Sequence, residues 1–320
     1  MNILVTGATG FVGKAVLAQL AADPCGRLRA AVRRPTPTMP TGVQSAVVGD
    51  LASDTDWSQA VAGVDVVVHA AARVHVMRET AADPLAEFRR ANVDGTLALA
   101  RQAADAGVRR LVFVSSVKVN GEETSPGKPF TGMDAPQPVD PYGVSKLEAE
   151  LGLQQLGAAS GMEIVVVRPA LVYGPAVRGN FLTLLQWVQR GLPLPLGGIR
   201  NQRSFIALDN LVSLILLCAA HPSAAGRIFL AADGEDLSTP ELILRLGRAM
   251  NKRVRLFSIP TGALHGMASL LGRSSTSQRL CGWLQVDNSH ARELLNWSTV
   301  VSVDDALANT ARHFVRTAHR

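Results

Sequence analysis

The chain has 320 residues, 47% of them hydrophobic and 18% charged, and a formal net charge of +6. This length and composition can bury a full core and exceed what one minimal domain needs. No block of like charges stands out, which argues against a nucleic-acid groove. The longest apolar runs, such as Leu211–Ala220, are far too short to cross a membrane.

Short runs rich in Val, Ile and Leu alternate with longer helical stretches in the first half of the chain. Strands that are buried on both faces have this composition, and their alternation with helices favours a parallel sheet with right-handed crossovers. The predicted strands are Asn2–Thr6, Leu28–Arg33, Ser45–Val48, Val64–His69, Arg109–Ser115 and Glu163–Arg168. The predicted helices are Phe11–Ala22, Thr55–Ala62, Leu85–Ala106 and Pro141–Ser160.

The alternation loosens after Arg168, where segments rich in glycine and proline appear. One more strand is predicted at Arg227–Ala231. The predicted helices of this half are Asp209–Ala220, Thr239–Met250, Gly262–Leu271, Asn288–Asn296 and Asp304–His319. We therefore expect an α/β fold: a doubly wound parallel sheet over residues 1–170, completed by parts of 205–235. A smaller, mostly helical C-terminal domain would comprise 171–204 and 236–320.

The start of the chain and its cysteines indicate the compartment. Asn2–Thr6 already has the pattern of a strand and no signal peptide precedes it, so we expect a cytoplasmic protein. Cys25, Cys218 and Cys281 are an odd number of cysteines without the spacing of metal ligands. They suit a reducing compartment, and no metal site is expected.

A glycine-rich loop follows the first predicted strand and opens the first helix. Gly7, Gly10 and Gly13 let the backbone turn sharply and approach a pyrophosphate, and the helix that starts at Phe11 and Val12 offers free N–H groups. Three glycines between a strand and a helix at the N-terminus strongly favour a Rossmann dinucleotide-binding fold.

The residues after the second strand select between the two nicotinamide cofactors. An acid there binds the ribose of NAD, whereas Arg33 and Arg34 stand in its place and suit the 2′-phosphate of NADP. We therefore expect NADP(H) to be preferred, with NAD(H) possible. Asp50 and Leu51 after the third strand suit an adenine contact. Small residues follow the fourth strand, where the backbone must pass close to the cofactor: Ala70, Ala71 and Ala72.

A tyrosine and a lysine four residues apart lie near the start of the helix predicted over Pro141–Ser160. Asp140 is a plausible N-cap, followed by proline at the first helical position. Tyr142 and Lys146 then share a helix face, and the ammonium is expected to lower the pKa of the phenol. The pair can exchange a proton with a carbinol or ketone oxygen as hydride moves, and Lys146 can hold ribose hydroxyls.

Two serines end the fifth predicted strand, in the expected cofactor crevice. A hydroxyl at this place is a candidate donor to the substrate oxygen. A serine hydroxyl at the end of a strand can instead stabilise the turn that follows. We expect one of Ser115 and Ser116 to form the turn and the other to face the substrate.

Together these motifs resemble the extended short-chain dehydrogenase/reductase family, in its branch of NAD(P)-dependent sugar epimerases and dehydratases, over essentially the whole chain. The matching residues are Gly7, Gly10, Gly13, Asp50, Asn92, Ser116, Gly121, Tyr142, Lys146, Arg168–Pro169 and Val172–Pro175. The resemblance implies that Ser116 is the catalytic hydroxyl and that Asn92 organises the proton path. It also implies that Pro169 lies against the nicotinamide.

The family resemblance also implies a UDP-sugar substrate, whose diphosphate is held by the second half of the chain. Asn180 and Arg203 match the usual positions, so 171–204 and 236–320 would bind substrate. Arg279 is the nearest match for a second arginine, although an ordinary surface role suits it better. The resemblance further implies a homodimer formed through the helices that carry Asn92 and Tyr142.

Three reactions share such a site. Family members that dehydrate have an acid pair directly after the catalytic hydroxyl, where this chain has Val117 and Lys118, so dehydration is not expected. The chain also resembles bacterial polysaccharide enzymes that reduce UDP-4-keto-6-deoxy-N-acetylglucosamine to UDP-N-acetylquinovosamine. Because Arg33 and Arg34 favour NADP, we expect this C4-keto reduction. The alternatives are a UDP-hexose or UDP-N-acetylglucosamine 4-epimerase with bound NAD and a non-catalytic NADP-binding sensor or scaffold subunit.

Overall fold

The computed structural model describes residues 1–23, 26–36, 39–74, 83–260, 262 and 280–318. Its strands are β1 (Ile3–Thr6), β2 (Leu28–Val32), β3 (Val43–Val47), β4 (Val66–His69), β5 (Arg110–Val114), β6 (Glu163–Pro169), β7 (Leu171–Tyr173), β8 (Arg203–Ala207), β9 (Ile228–Ala231) and β10 (Asp236–Leu237). Seven of them form a parallel sheet in the order β3-β2-β1-β4-β5-β6-β9. This confirms the predicted doubly wound α/β fold, and the strand order reverses between β1 and β4, where such folds bind ligands.

Ten α-helices accompany the strands in the described ranges. They are α1 (Phe11–Ala22), α2 (Ser58–Val61), α3 (Pro84–Arg89), α4 (Thr96–Asp105), α5 (Pro141–Ser160), α6 (Gly179–Arg190), α7 (Leu208–Ala220), α8 (Thr239–Ala249), α9 (Ser289–Leu295) and α10 (Val303–Ala318). Both α1 and α5 begin and end at the predicted residues. The helix predicted at Gly262–Leu271 and the residue Cys25 lie outside the described residues, apart from Gly262 itself.

The core explains why the central strands are so apolar. Buried side chains cover both faces of the seven-stranded sheet: one cluster packs α1, α7 and α9 against it, and the other packs α2, α4 and α5. Val5 of β1 and Val68 of β4 are completely buried on the first face. Leu111 and Phe113 of β5 are completely buried on the second. Strands enclosed in this way have no polar face, which is the pattern seen in the sequence.

The prediction of a single uninterrupted helix at Leu85–Ala106 is wrong in one respect. A π-helical turn at Arg90–Gly95 separates α3 from α4. Such turns insert one extra residue and are frequent at functional sites. Here the turn holds Asn92 in a buried position.

The sequence also missed a second, three-stranded sheet in the order β10-β8-β7, and it missed α6. These strands are two to five residues long and lie in the part of the chain that is interrupted by Gly-Pro and Pro-Leu-Pro segments, so no clear pattern marks them. Tyr173 of β7 stacks on Phe181 of α6 with ring centroids 5.5 Å apart, inside a core that also contains α8 and α10. No helix among the described residues is long and apolar enough to cross a membrane.

Candidate active site

The glycine-rich loop lies tightly against the end of β4. Gly7 has a φ of +64°, and a Cβ built on it would lie 2.7 Å from the Ala70 carbonyl carbon and the Ala71 nitrogen. A Cβ on Gly13 would lie 2.3 Å from the Gly7 carbonyl oxygen, and the Gly10 N–H donates to that same oxygen at 2.8 Å. Only glycine fits at Gly7 and Gly13. The loop and the opening of α1 therefore form a close backbone cradle of the kind that fits a dinucleotide pyrophosphate.

A buried histidine behind this loop was not singled out from the sequence. The two ring nitrogens of His69 contact the hydroxyls of Thr6, at 2.6 Å, and Thr96, at 2.9 Å. The Thr6 hydroxyl also accepts from the Ala71 N–H at 3.2 Å. Burial, together with the charge of Lys146, lowers the pKa of His69 to about 3, so the ring is neutral. His69 thus joins β1, β4 and α4 directly beneath the cofactor cradle.

The residues predicted to contact adenosine lie at the ends of β2 and β3. Arg33 and Arg34 are exposed, and Arg33 forms an ion pair with Asp50 at 3.7 Å, in which the side chains are 77% and 87% exposed. Leu51 lies against the π-helical turn, where a Cβ on Gly95 would come within 2.7 Å of its Cγ. An exposed ion pair of this kind is weak, so Arg33 can turn towards a phosphate beside the exposed Arg34.

Asn92 connects two parts of the predicted site. Its side chain accepts from the Arg73 N–H at 2.7 Å and donates to the Arg73 carbonyl oxygen at 3.0 Å. Its amide also donates to the Ser145 hydroxyl at 3.0 Å, and that hydroxyl donates to the Tyr142 carbonyl oxygen at 2.8 Å. Asn92 therefore fixes the segment that follows β4 relative to the first turn of α5.

The two serines after β5 have different surroundings. Ser115 is buried, and its hydroxyl donates to the carboxylate of Glu150. Ser116 is half-buried, and its hydroxyl accepts from the Lys118 N–H at 3.2 Å, which caps the 3₁₀ turn Val117–Val119. The expectation that one serine forms the turn while the other faces the substrate therefore needs correction, because Ser116 itself forms the turn. Its hydroxyl proton is left available for a substrate oxygen.

Tyr142 and Lys146 project from the first two turns of α5. The predicted N-cap is confirmed, since Asp140 accepts from the Gly143 N–H at 2.7 Å. The Lys146 ammonium lies 3.9 Å above the centre of the Phe113 ring, and the Tyr142 ring meets Phe88 edge-on.

The expectation that Lys146 lowers the pKa of the phenol is wrong for this structure. Burial, with a smaller contribution from the charge of Asp140, raises the pKa of Tyr142. Burial lowers the pKa of Lys146 to about 7, although the charge of Glu150 opposes this shift. A largely buried lysine loses part of its charge near neutral pH, which weakens its pull on the phenol proton.

A buried charge network lies beneath Ser115, and the sequence interpretation missed its acid. Glu150 pairs with Arg168, whose guanidinium also donates to Asn120 Oδ1 at 3.0 Å. Glu150 lies eight residues after Tyr142 and four after Lys146, on the same face of α5. That spacing is the signal that could have revealed it. The network fixes β5, β6 and α5 relative to one another below the site.

The predicted substrate residues lie in the second half of the chain. Asn180 is exposed at the start of α6. Arg203 begins β8 and donates to the Gly282 carbonyl oxygen at 3.0 Å. Pro169 ends β6 beside Ala231 of β9, and Arg279 lies outside the described residues.

The cradle at β1 and the tyrosine and lysine of α5 define a dinucleotide-dependent α/β enzyme. The chain belongs to the NAD dependent epimerase/dehydratase family, whose profile matches residues 3–232. It is 42% identical over 320 residues to a UDP-glucose 4-epimerase from Vibrio cholerae, an alignment that covers 100% of this chain and 97% of the relative.

A more distant relative and a solved structure also match the chain. The chain is 27% identical over 267 residues to the N-acetyl-alpha-D-glucosaminyl-diphospho-ditrans,octacis-undecaprenol 4-epimerase of Escherichia coli O157:H7, covering 81% of this chain and 75% of the relative. A solved structure of UDP-glucuronic acid 4-epimerase from Bacillus cereus in complex with NAD superposes with a TM-score of 0.79. That match covers 99% of each chain at 21% identity.

Proposed function

We propose that this protein is an NAD-dependent 4-epimerase of a UDP-hexose or UDP-N-acetylhexosamine. The observation that carries the proposal is the 42% identity to a UDP-glucose 4-epimerase over the whole chain. This identity supports epimerisation more strongly than the C4-keto reduction that Arg33 and Arg34 favour. The absence of an acid pair after Ser116 still argues against dehydration.

The residues around α5 would move the proton of the sugar. When bound, the nicotinamide of NAD supplies the acceptor and later the donor of a hydride at C4. Tyr142 would take the proton of the C4 hydroxyl and return it, while the Ser116 hydroxyl holds the C4 oxygen. Lys146 would hold ribose hydroxyls, and in its charged form it would oppose, in part, the effect of burial on the phenol. Asn92 acts through Ser145 to fix Tyr142.

The second half of the chain would bind the nucleotide sugar. We propose that 171–204 and 236–320 form the substrate domain, with Asn180 and Arg203 contacting the UDP diphosphate. A homodimer through the helices of Asn92 and Tyr142 is proposed as well. Leu151 supports it, because this apolar side chain is 50% exposed on α5. Sedimentation at several protein concentrations tests the dimer.

A second candidate is NADPH-dependent reduction of a UDP-4-keto-6-deoxy-N-acetylhexosamine to UDP-N-acetylquinovosamine, in the synthesis of a surface polysaccharide such as O-antigen. Arg33 and Arg34 favour it, since both are exposed at the end of β2. Two guanidinium groups suit the 2′-phosphate of NADP.

One pair of assays separates the two candidates. Purified protein is given UDP-glucose or UDP-N-acetylglucosamine with NAD, and the C4 epimer is sought by NMR. In parallel, NADPH or NADH is supplied with a UDP-4-keto-6-deoxy sugar, and nicotinamide oxidation is followed. Epimer without net redox change supports the proposal, whereas stoichiometric NADPH loss without epimer supports the reductase. Tyr142→Phe, checked for its melting temperature, should remove either activity.

A further inference from the structure

Lys118 joins the Ser116 turn to the start of α5. Its ammonium contacts the carboxylate of Asp140 and lies 3.2 Å from a carboxylate oxygen of Glu122. Asp140 uses its other oxygen to cap α5 through the Gly143 N–H. One carboxylate is therefore shared between the helix that carries Tyr142 and the turn that carries Ser116.

The backbones of these two elements also touch. A Cβ on Gly143 would lie 2.8 Å from the Lys118 carbonyl oxygen, so the turn rests directly on the first turn of α5. The Lys118 N–H donates to the Ser116 hydroxyl. Lys118 thus contacts Ser116 through its main chain and Asp140 through its side chain. The ion pair is largely buried on both sides, since the side chains of Lys118 and Asp140 are 29% and 21% exposed.

The charges around Tyr142 give this link an electrostatic consequence. Asp140 lies two residues before the phenol, and its negative charge opposes ionisation of the phenol. The Lys118 ammonium neutralises that carboxylate. Other charged groups lie on the described elements packed around the start of α5. They include Lys146 and Glu148 on α5 itself, Glu87 and Arg89 on α3, Arg90 and Asp94 on the π-helical turn, Arg73 above Phe88, and Glu122 after the turn.

We propose that Lys118 is a positioning residue that fixes Ser116 relative to Tyr142 and neutralises the charge of Asp140 beside the phenol. Nothing in this role requires Lys118 to touch substrate. The proposal rests on the proposed function in one respect, because it takes Tyr142 as the group that exchanges the proton. In the reaction direction that starts with the sugar alcohol, Tyr142 must be ionised, so the rate rises through its pKa as pH increases.

The experiment compares opposite charge deletions. Lys118→Met leaves Asp140 unneutralised and should move the acid limb of the kcat profile up by about one pH unit. Asp140→Asn keeps the capping oxygen but removes the negative charge, and should move the limb down. Lys118→Arg, which retains the charge, should return the limb towards its original position. A purely structural link would lower kcat for both deletions with no opposite displacement of the limb.

A second readout does not depend on turnover. The chain has two tyrosines, so a sample labelled with ¹³C at the tyrosine Cζ gives two signals, which Tyr173→Phe assigns. Titration of the Tyr142 signal with NAD present should show the same opposite shifts. Failure of both epimerase and reductase assays would overturn the proposed function alone, because the titration still tests Lys118. Shifts of the same sign, or none, overturn the role of Lys118. If Lys118→Met does not fold, Lys118→Gln replaces it in the comparison with Lys118→Arg.

Discussion

Glu150 and Arg168 form an ion pair that is almost completely withdrawn from solvent, with Nη2 and Oε2 2.5 Å apart and side chains 1% and 2% exposed. The Ser115 hydroxyl and the Asn120 amide oxygen complete the hydrogen bonds of the pair. A buried charge whose partner is lost cannot return to water without opening the core. This pair therefore links the stability of the sheet to the position of the site above it.

Glu150→Gln should destabilise the protein by about 3–5 kcal/mol, because it leaves the Arg168 guanidinium buried without a counter-charge. The free energy of unfolding in urea measures the effect. Glu148→Gln is the matched control on the same helix, since Glu148 pairs with Arg89 at the surface. Its loss should be much smaller. Equal losses in the two variants would contradict the buried-pair account.

Gly13→Ala should weaken NAD binding and reduce stability by about 1–3 kcal/mol, the usual cost of overpacking. The added methyl group would lie 2.3 Å from the Gly7 carbonyl oxygen, so the cradle must open. Isothermal calorimetry with NAD and urea unfolding measure the two effects. Gly10→Ala is the control and should have a smaller effect, because a Cβ at that position would lie 3.0 Å from the Gly7 carbonyl oxygen. Comparable NAD affinities in both variants would show that the close approach at Gly13 does not matter.

His69→Gln should flatten the dependence of stability on pH. Burial lowers the pKa of His69 from 6.5 to about 3, so between these values the unfolded chain binds a proton that the folded chain does not. The folded state therefore loses stability as pH falls through this window, and His69 has no such effect above it. Unfolding free energies across the window measure the slope. His313→Gln, at a partly exposed position on α10, is the control variant, and parallel curves for all three proteins would refute the prediction.

Replacing Arg33 and Arg34 together by alanine should weaken NADPH binding more than NADH binding. Both arginines are exposed at the end of β2, and a dianionic phosphate pairs well with guanidinium groups. Fluorescence titration with each cofactor gives the two dissociation constants. Arg27→Ala serves as the control, since this exposed residue precedes the amino end of β2. Equal weakening of both cofactors would remove these residues as selectors.

Much of the fold could be predicted from local pattern. The apolar runs of β1, β4 and β5 and the glycines of the first loop are strong signals, because enclosed strands have no polar face. Asp140 and Pro141 marked the start of α5 to the residue. The short strands β7, β8 and β10 gave no such signal, because they stand outside the regular alternation of apolar strands and helices. Helix α6 was missed as well, since its amphipathic pattern follows a segment that read as a loop.

The candidate site divides in the same way. The sequence by itself determined that Gly7 and Gly13 form a cradle and that Tyr142 and Lys146 share a helix face, because each depends on residues within a few positions of one another. Only the tertiary structure decided that Glu150 pairs with Arg168, that His69 joins Thr6 to Thr96, and that Lys118 reaches Asp140. It also reversed the expected direction of the phenol pKa. Burial and charge depend on residues 18 to 63 positions apart meeting in space, and no local pattern encodes that meeting.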